Sequence, residues 1–128
     1  MTDGKLQRVK FPQAKSLKAA GFDYDCDLSY IVDSVGENHG IYWRPELERG
    51  TSKDQEFPAP TVALALKWMR DVKGIIGIVN YDAKQKSYDF YVCSRDGNGF
   101  LSKHCYQSYE QAESALLDAA LAEIQKGD

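Results

Sequence analysis

No stretch of this sequence reaches the roughly 18 apolar residues that a membrane-spanning helix needs. Its first residues, Met1-Thr2-Asp3-Gly4-Lys5, lack the apolar core of a secretory leader. Both absences predict a cytoplasmic protein with no membrane contact. Cysteine is sparse and never spaced as CxxC. Cys26, Cys93 and Cys105 cannot all pair, so structural zinc and thioredoxin-like redox chemistry have no support. With only His39 and His104 beside those thiols, Cys/His nucleophilic catalysis has few candidates and no motif. Glycine-rich phosphate loops, G-x-S-x-G and H-E-x-x-H are all missing. A basic excess is missing too: 16 Lys and Arg stand against 19 Asp and Glu, for a net charge of −3. Proteins that live on phosphate contacts usually carry the opposite balance. The sequence therefore predicts no cofactor, no metal and no catalytic residue, and it disfavours nucleic acid as a partner.

What is present is ordinary for a globular chain. The 128 residues are 43% hydrophobic and 12% aromatic, which predicts a single ordered domain over 1–128. Charge is unevenly spread. Residues 1–20 hold Lys5, Arg8, Lys10, Lys15 and Lys18 against Asp3. Residues 21–37 hold Asp23, Asp25, Asp27, Asp33 and Glu37 with no base. The simplest expectation is that the basic and acidic segments lie close and neutralise each other.

Residues 1–10 read as a flexible arm. Pro12 suits the first position of a helix over about 12–20, with Ala14, Leu17 and Ala20 on one face and Gly21 to stop it. Residues 28–34 and 39–43 read as paired strands around Gly36-Glu37-Asn38. Residues 44–59 read as a long polar loop. A second helix spans about 60–73, with Val62, Ala65, Leu66, Met69 and Val72 at helical spacing, Leu64 and Trp68 widening the stripe, and Gly74 as its cap.

Three strands follow, at 75–81, 87–93 and about 99–106. The first turn is Asp82-Ala83-Lys84-Gln85-Lys86, and the second is Asp96-Gly97-Asn98-Gly99. Alternation puts Tyr88, Phe90 and Val92 toward the core and Asp89, Tyr91 and Cys93 on the other face. A two-residue loop at the second turn places Cys93 opposite Phe100, Ser102 or His104, never Cys105, so no disulfide is expected there. The last helix spans about 108–126. Ser108 and Gln111 form a capping box, and Ala112, Ala115, Leu116, Ala119, Ala120 and Ile124 face inward. The predicted fold is α+β. A three-stranded antiparallel meander and an N-terminal strand pair pack with two main helices, in the order α-β-β-α-β-β-β-α.

Several constellations fail on inspection. Asp23-Tyr24-Asp25-Cys26-Asp27 begins like a calcium loop, but Leu28 and Ser34 stand where that loop needs Gly and Glu. The helix–three strands–helix order is that of double-stranded RNA-binding domains. Their second helix meets phosphates with lysines, whereas Ser108-Tyr109-Glu110-Gln111-Ala112-Glu113 offers carboxylates. Two features survive as binding candidates. One is Tyr42-Trp43-Arg44, of the residue types richest at binding hot spots. The other is the open face of the meander, with Tyr91 and also Tyr81 and Lys103, where a homodimer or the N-terminal hairpin could pack.

Three phrases taken together resemble a known group. They are Leu17-Lys18-Ala19-Ala20-Gly21-Phe22-Asp23 with Cys26 behind, Ala59-Pro60-Thr61 followed by Ala65-Leu66-Lys67-Trp68-Met69-Arg70-Asp71-Val72, and Ser108-Tyr109-Glu110-Gln111-Ala112. The sequence resembles small uncharacterised proteins from prophage and mobile regions of gut Bacteroidales. The resemblance implies a phage-linked setting and carries over no catalytic residue. The expected role is a non-enzymatic accessory protein that binds a host or phage macromolecule, a protein partner first. One alternative is sequestration of a small nucleotide by Arg44, Arg49 or Arg70. Another is single-stranded nucleic-acid binding across the sheet face.

Overall fold

Helix α1 (Phe11–Ala20) begins where the sequence supplies a start signal, with Pro12 in its first turn. The cap is built by Gln13, whose Oε1 accepts the Lys10 N–H at 2.8 Å. Gly21 ends the helix in the left-handed conformation, φ +96°. The computed structural model describes residues 6–32, 38–43, 56–95, 97–102 and 104–127. The chain is α+β, and it divides into two compact units, Met1–Thr61 and Val62–Asp128.

In the first unit, β1 (Leu28–Val32) lies between β2 (Asn38–Trp43) and β3 (Glu56–Pro58), antiparallel to both. The short strand β3 falls at the end of the segment that composition marked as loop. Its hold on β1 explains why: Ser29, fully buried, donates from Oγ to Glu56 Oε1 at 2.9 Å. Lys18 adds a bond from Nζ to Glu56 O at 2.7 Å and sits 4.5 Å from the centre of the Phe57 ring. Phe11 packs edge-on against both Tyr30 and Phe57.

Residues 8 and 9, at the C-terminal end of the stretch read as an arm, make specific contacts. Val9 is 1% exposed. Its N–H donates to Pro60 O at 3.0 Å, and its carbonyl accepts the Tyr30 hydroxyl at 2.6 Å. Arg8 bonds Ala59 O through Nη1 and pairs with Asp27 at 3.2 Å. The Arg8–Asp27 pair joins one residue of the basic segment to one of the acidic segment. Residues 1–5 and 44–55 lie outside the described residues.

The second unit opens with α2 (Val62–Trp68), which continues as a π-helical turn, Met69–Lys73, and stops at Gly74, φ +71°. Val62, Ala65, Trp68 and Met69 are buried as their spacing predicts. Val72 is not: it is 49% exposed. A π turn advances fewer degrees per residue than an α turn, so Val72 falls behind the buried stripe.

Strands β4 (Ile75–Asp82), β5 (Ser87–Ser94) and β6 (Gly99–Leu101) form an antiparallel meander with β5 central. β4 and β5 pair without a break from Ile75↔Ser94 to Asp82↔Ser87. Asp82 shapes their turn by accepting the Lys84 and Gln85 N–H groups on Oδ1. The second hairpin pairs Cys93 with Gly99, not with Phe100, Ser102 or His104. Its loop is longer than two residues because the Ser94 N–H bonds Asn98 O, with Gly97 in the left-handed region at φ +90°. All three cysteines are free.

Helix α3 (Tyr109–Gly127) starts on the predicted cap, with the Gln111 N–H donating to Ser108 Oγ at 3.2 Å. Gln111 reaches back to the Gln107 N–H. Ala112, Leu116, Leu117, Ala120, Leu121 and Ile124 are buried, and the helix packs across β4 and β5 with α2 beside it.

Candidate functional site

The face on which α3 rests can be fixed from one glycine. A Cβ placed on Gly77 would lie 2.8 Å from Leu116 Cδ2 and 2.9 Å from Cγ, so position 77 points at α3. Period-two alternation then assigns Ile75, Gly77, Val79 and Tyr81 to the helix side of β4. Their partners Val92, Phe90 and Tyr88 on β5 share that side. Tyr81 is thereby corrected: it stands on the helix side, 4.9 Å from the Tyr88 ring, and Tyr88 meets Tyr109 edge-on. Burial holds the Tyr109 hydroxyl above its ordinary pKa. The charge of Glu113 and its hydrogen bond, and then the charge of Glu110, push the same way.

The opposite face carries Ile76, Ile78 and Asn80 from β4, Asp89, Tyr91 and Cys93 from β5, and Gly99 and Leu101 from β6. Register puts Ile76 beside Cys93 and Gly99, and Ile78 beside Tyr91 and Leu101. These two rows hold no charged side chain. Ile78 is 53% exposed and Leu101 60%, values far above a core residue. Tyr91 is half-buried for a local reason. Its ring lies over Gly99, with Cζ 2.8 Å from where a Cβ on that glycine would sit. The aromatic ring covers a residue that has no side chain of its own. At one end of the face, Ser87 Oγ and Asp89 Oδ1 are buried with no hydrogen-bond partner among the described residues.

The other sequence-marked residues stand as follows. Tyr42 and Trp43 belong to β2 in the first unit, their backbones paired with Ser29 and Leu28. Arg44, Arg49 and Lys103 lie outside the described residues. Arg70 is exposed and stands 3.6 Å from Asp71. His104 and Cys105 are exposed, and Cys26 is half-buried with its thiol directed to Leu28 O at 3.5 Å. Among the described residues, no group of acids, histidines and cysteines is arranged to hold a metal ion. No helix among them is long and apolar enough to cross a membrane.

Sequence reasoning located Tyr91 but missed Ile76, Ile78 and Leu101 as its neighbours. Their signal was available: Ile75, Ile76 and Ile78 surround Gly77, so an apolar strand with both faces hydrophobic was written in the composition. A scan of protein-family models and searches of curated proteins and of solved structures find no match to this chain.

Proposed function

We propose that the protein is a non-enzymatic binding module and that the open face of the β4–β5–β6 sheet is where it meets a protein partner. One observation carries the reading. Ile76, Ile78 and Leu101 are exposed side by side around Tyr91, in rows that hold no charge. Single exposed apolar residues need no explanation, but a contiguous group of this kind marks interaction surfaces. A central tyrosine framed by aliphatic side chains is the composition of a hot spot. The same face is poor for a nucleotide or a single strand, because among the described residues its charged members are Asp89 and Asp82, and the chain is acidic overall. The phage-linked setting belongs to this proposal on the strength of the three-phrase resemblance alone.

The test is site-specific photo-crosslinking in the cell that makes the protein. A photoreactive residue replaces Leu101 in one variant and Asp118, on the exposed side of α3, in another. The expected result is a discrete adduct with a different polypeptide from position 101, absent from position 118 and lost when Ile76→Lys is added. Equal adducts from both positions, or none from 101, contradict the reading. A thermal-shift screen with cyclic and linear nucleotides should give no shift, since a ligand bound at a hundred times its Kd would add roughly 2.7 kcal/mol.

A further inference from the structure

The outer edge of β4 is an unguarded pairing edge, and we propose that it joins a second copy of this chain, making one continuous antiparallel sheet from two meanders. This inference is independent of what the open face binds.

The direction of the backbone groups follows from the bonds on the far side of β5. Tyr88 exchanges both of its backbone bonds with Tyr106, at 2.8 and 2.7 Å, and Phe90 O accepts the Ser102 N–H at 2.8 Å. The Ser94 N–H bonds Asn98 O. In an antiparallel ladder, a residue turns its N–H and C=O to the same side, and neighbours along the strand alternate. Tyr88, Phe90, Val92 and Ser94 therefore turn away from β4. Their register partners Tyr81, Val79, Gly77 and Ile75 make no ladder bonds to β5 and aim their N–H and C=O groups outward. Gly77 confirms this. It is exposed although Leu116 lies directly over it, so what it exposes is its backbone on the edge side.

Natural edge strands are blunted by proline, lysine, a bulge or short length. β4 has none of these. It is eight residues long, Ile-Ile-Gly-Ile-Val-Asn-Tyr-Asp, and its register on β5 is unbroken. Its length and the lack of charge over residues 75–81 also name the occupant. A two-fold pairing centred on Ile78 matches Ile75 with Tyr81 and Gly77 with Val79 across the two copies. That register uses every outward group, for about eight backbone hydrogen bonds. It sets Ile78 against Ile78 of the partner subunit at a position without ladder bonds, where side chains approach most closely. At both ends Asp82 comes alongside the Lys73–Gly74 turn of the other copy, acid against base. A second copy thus satisfies the edge with its own symmetry, and the two open faces become one surface.

Sedimentation of the full chain tests the proposal. The wild type should sediment as a dimer at micromolar concentration. Ile78→Lys sets two like charges opposite each other and should weaken the dimer by about tenfold or more. Val79→Pro removes an outward N–H that the intrachain ladder does not use and should give a folded monomer. If the proline variant fails to fold, the lysine variant still decides, because position 78 is an exposed side chain. With Cys26, Cys93 and Cys105 replaced by serine, Ile78→Cys should form an intermolecular disulfide on mild oxidation and Ile76→Cys should not. A wild type that stays monomeric, a dimer indifferent to both variants, or a crosslink through position 76 in place of 78 overturns the proposal. A monomer would leave the edge to an extended segment of some other protein.

Discussion

Leu116 occupies the space that a side chain at position 77 would need. Its Cδ2 and Cγ lie 2.8 and 2.9 Å from the point where a Cβ on Gly77 would be. Helix α3 can approach β4 this closely because the strand has a glycine there, and Leu116 has no room to swing aside, being 1% exposed.

Gly77→Ala is expected to destabilise the protein by about 1–3 kcal/mol, the usual cost of overpacking, although alanine is otherwise the better strand residue. Leu116→Ala alone should cost about 2–5 kcal/mol. The double variant should lose less than the two together, because the second change removes the clash that the first creates. Denaturant unfolding of all four proteins measures this. Full additivity would mean that the two residues do not compete for space.

Tyr30 donates its hydroxyl to Val9 O at 2.6 Å, and burial holds its pKa above the ordinary 10.0. The folded state thus favours the neutral phenol. That contribution is fully present below pH 10.0 and is lost as pH rises through the higher folded value. Stability should be level with respect to this group up to about pH 10 and fall above it. Tyr109, raised in the same direction, adds to the fall. Tyr30→Phe should cost about 1 kcal/mol at neutral pH and make the alkaline decline shallower. Unfolding curves taken across the alkaline range, with tyrosinate absorbance followed in parallel, check both statements.

Ser87→Ala is expected to behave unlike most substitutions at half-buried polar positions. The Ser87 hydroxyl is buried and makes no hydrogen bond among the described residues, so its removal strands none of them. The variant should match the wild type or gain up to about 1 kcal/mol in thermal unfolding. A loss greater than about 1 kcal/mol would show that the hydroxyl has a partner after all.

The helices were legible because their ends are marked by residues with a mechanical reason to be there. Pro12, Gly21, Gly74 and Ser108 each stand at the boundary they announce. Register was harder to read. A five-residue turn at 82–86 would place Tyr81 opposite Ser87 and turn it to the open face. The observed pairing Asp82↔Ser87 differs by one residue and turns it to the helix side. Val72 misled for a related reason, since periodicity assumes an α-helical turn and the chain there takes a π turn. The strand at Glu56–Pro58 is too short and too polar to announce itself, and Ser29 and Lys18, which hold it, are far away in sequence. The open face was half legible: alternation found Tyr91, but the exposure of Ile76, Ile78 and Leu101 depends on where α3 lies.

Carbene footprinting of the protein, purified and then inside the cell that makes it, tests the binding surface most directly. A contact on the open face should strip label from Ile76, Ile78 and Leu101 in the cell and leave exposed α3 residues such as Asp118 and Glu110 labelled as in buffer. Unchanged labelling of those three apolar residues between the two settings would contradict the account.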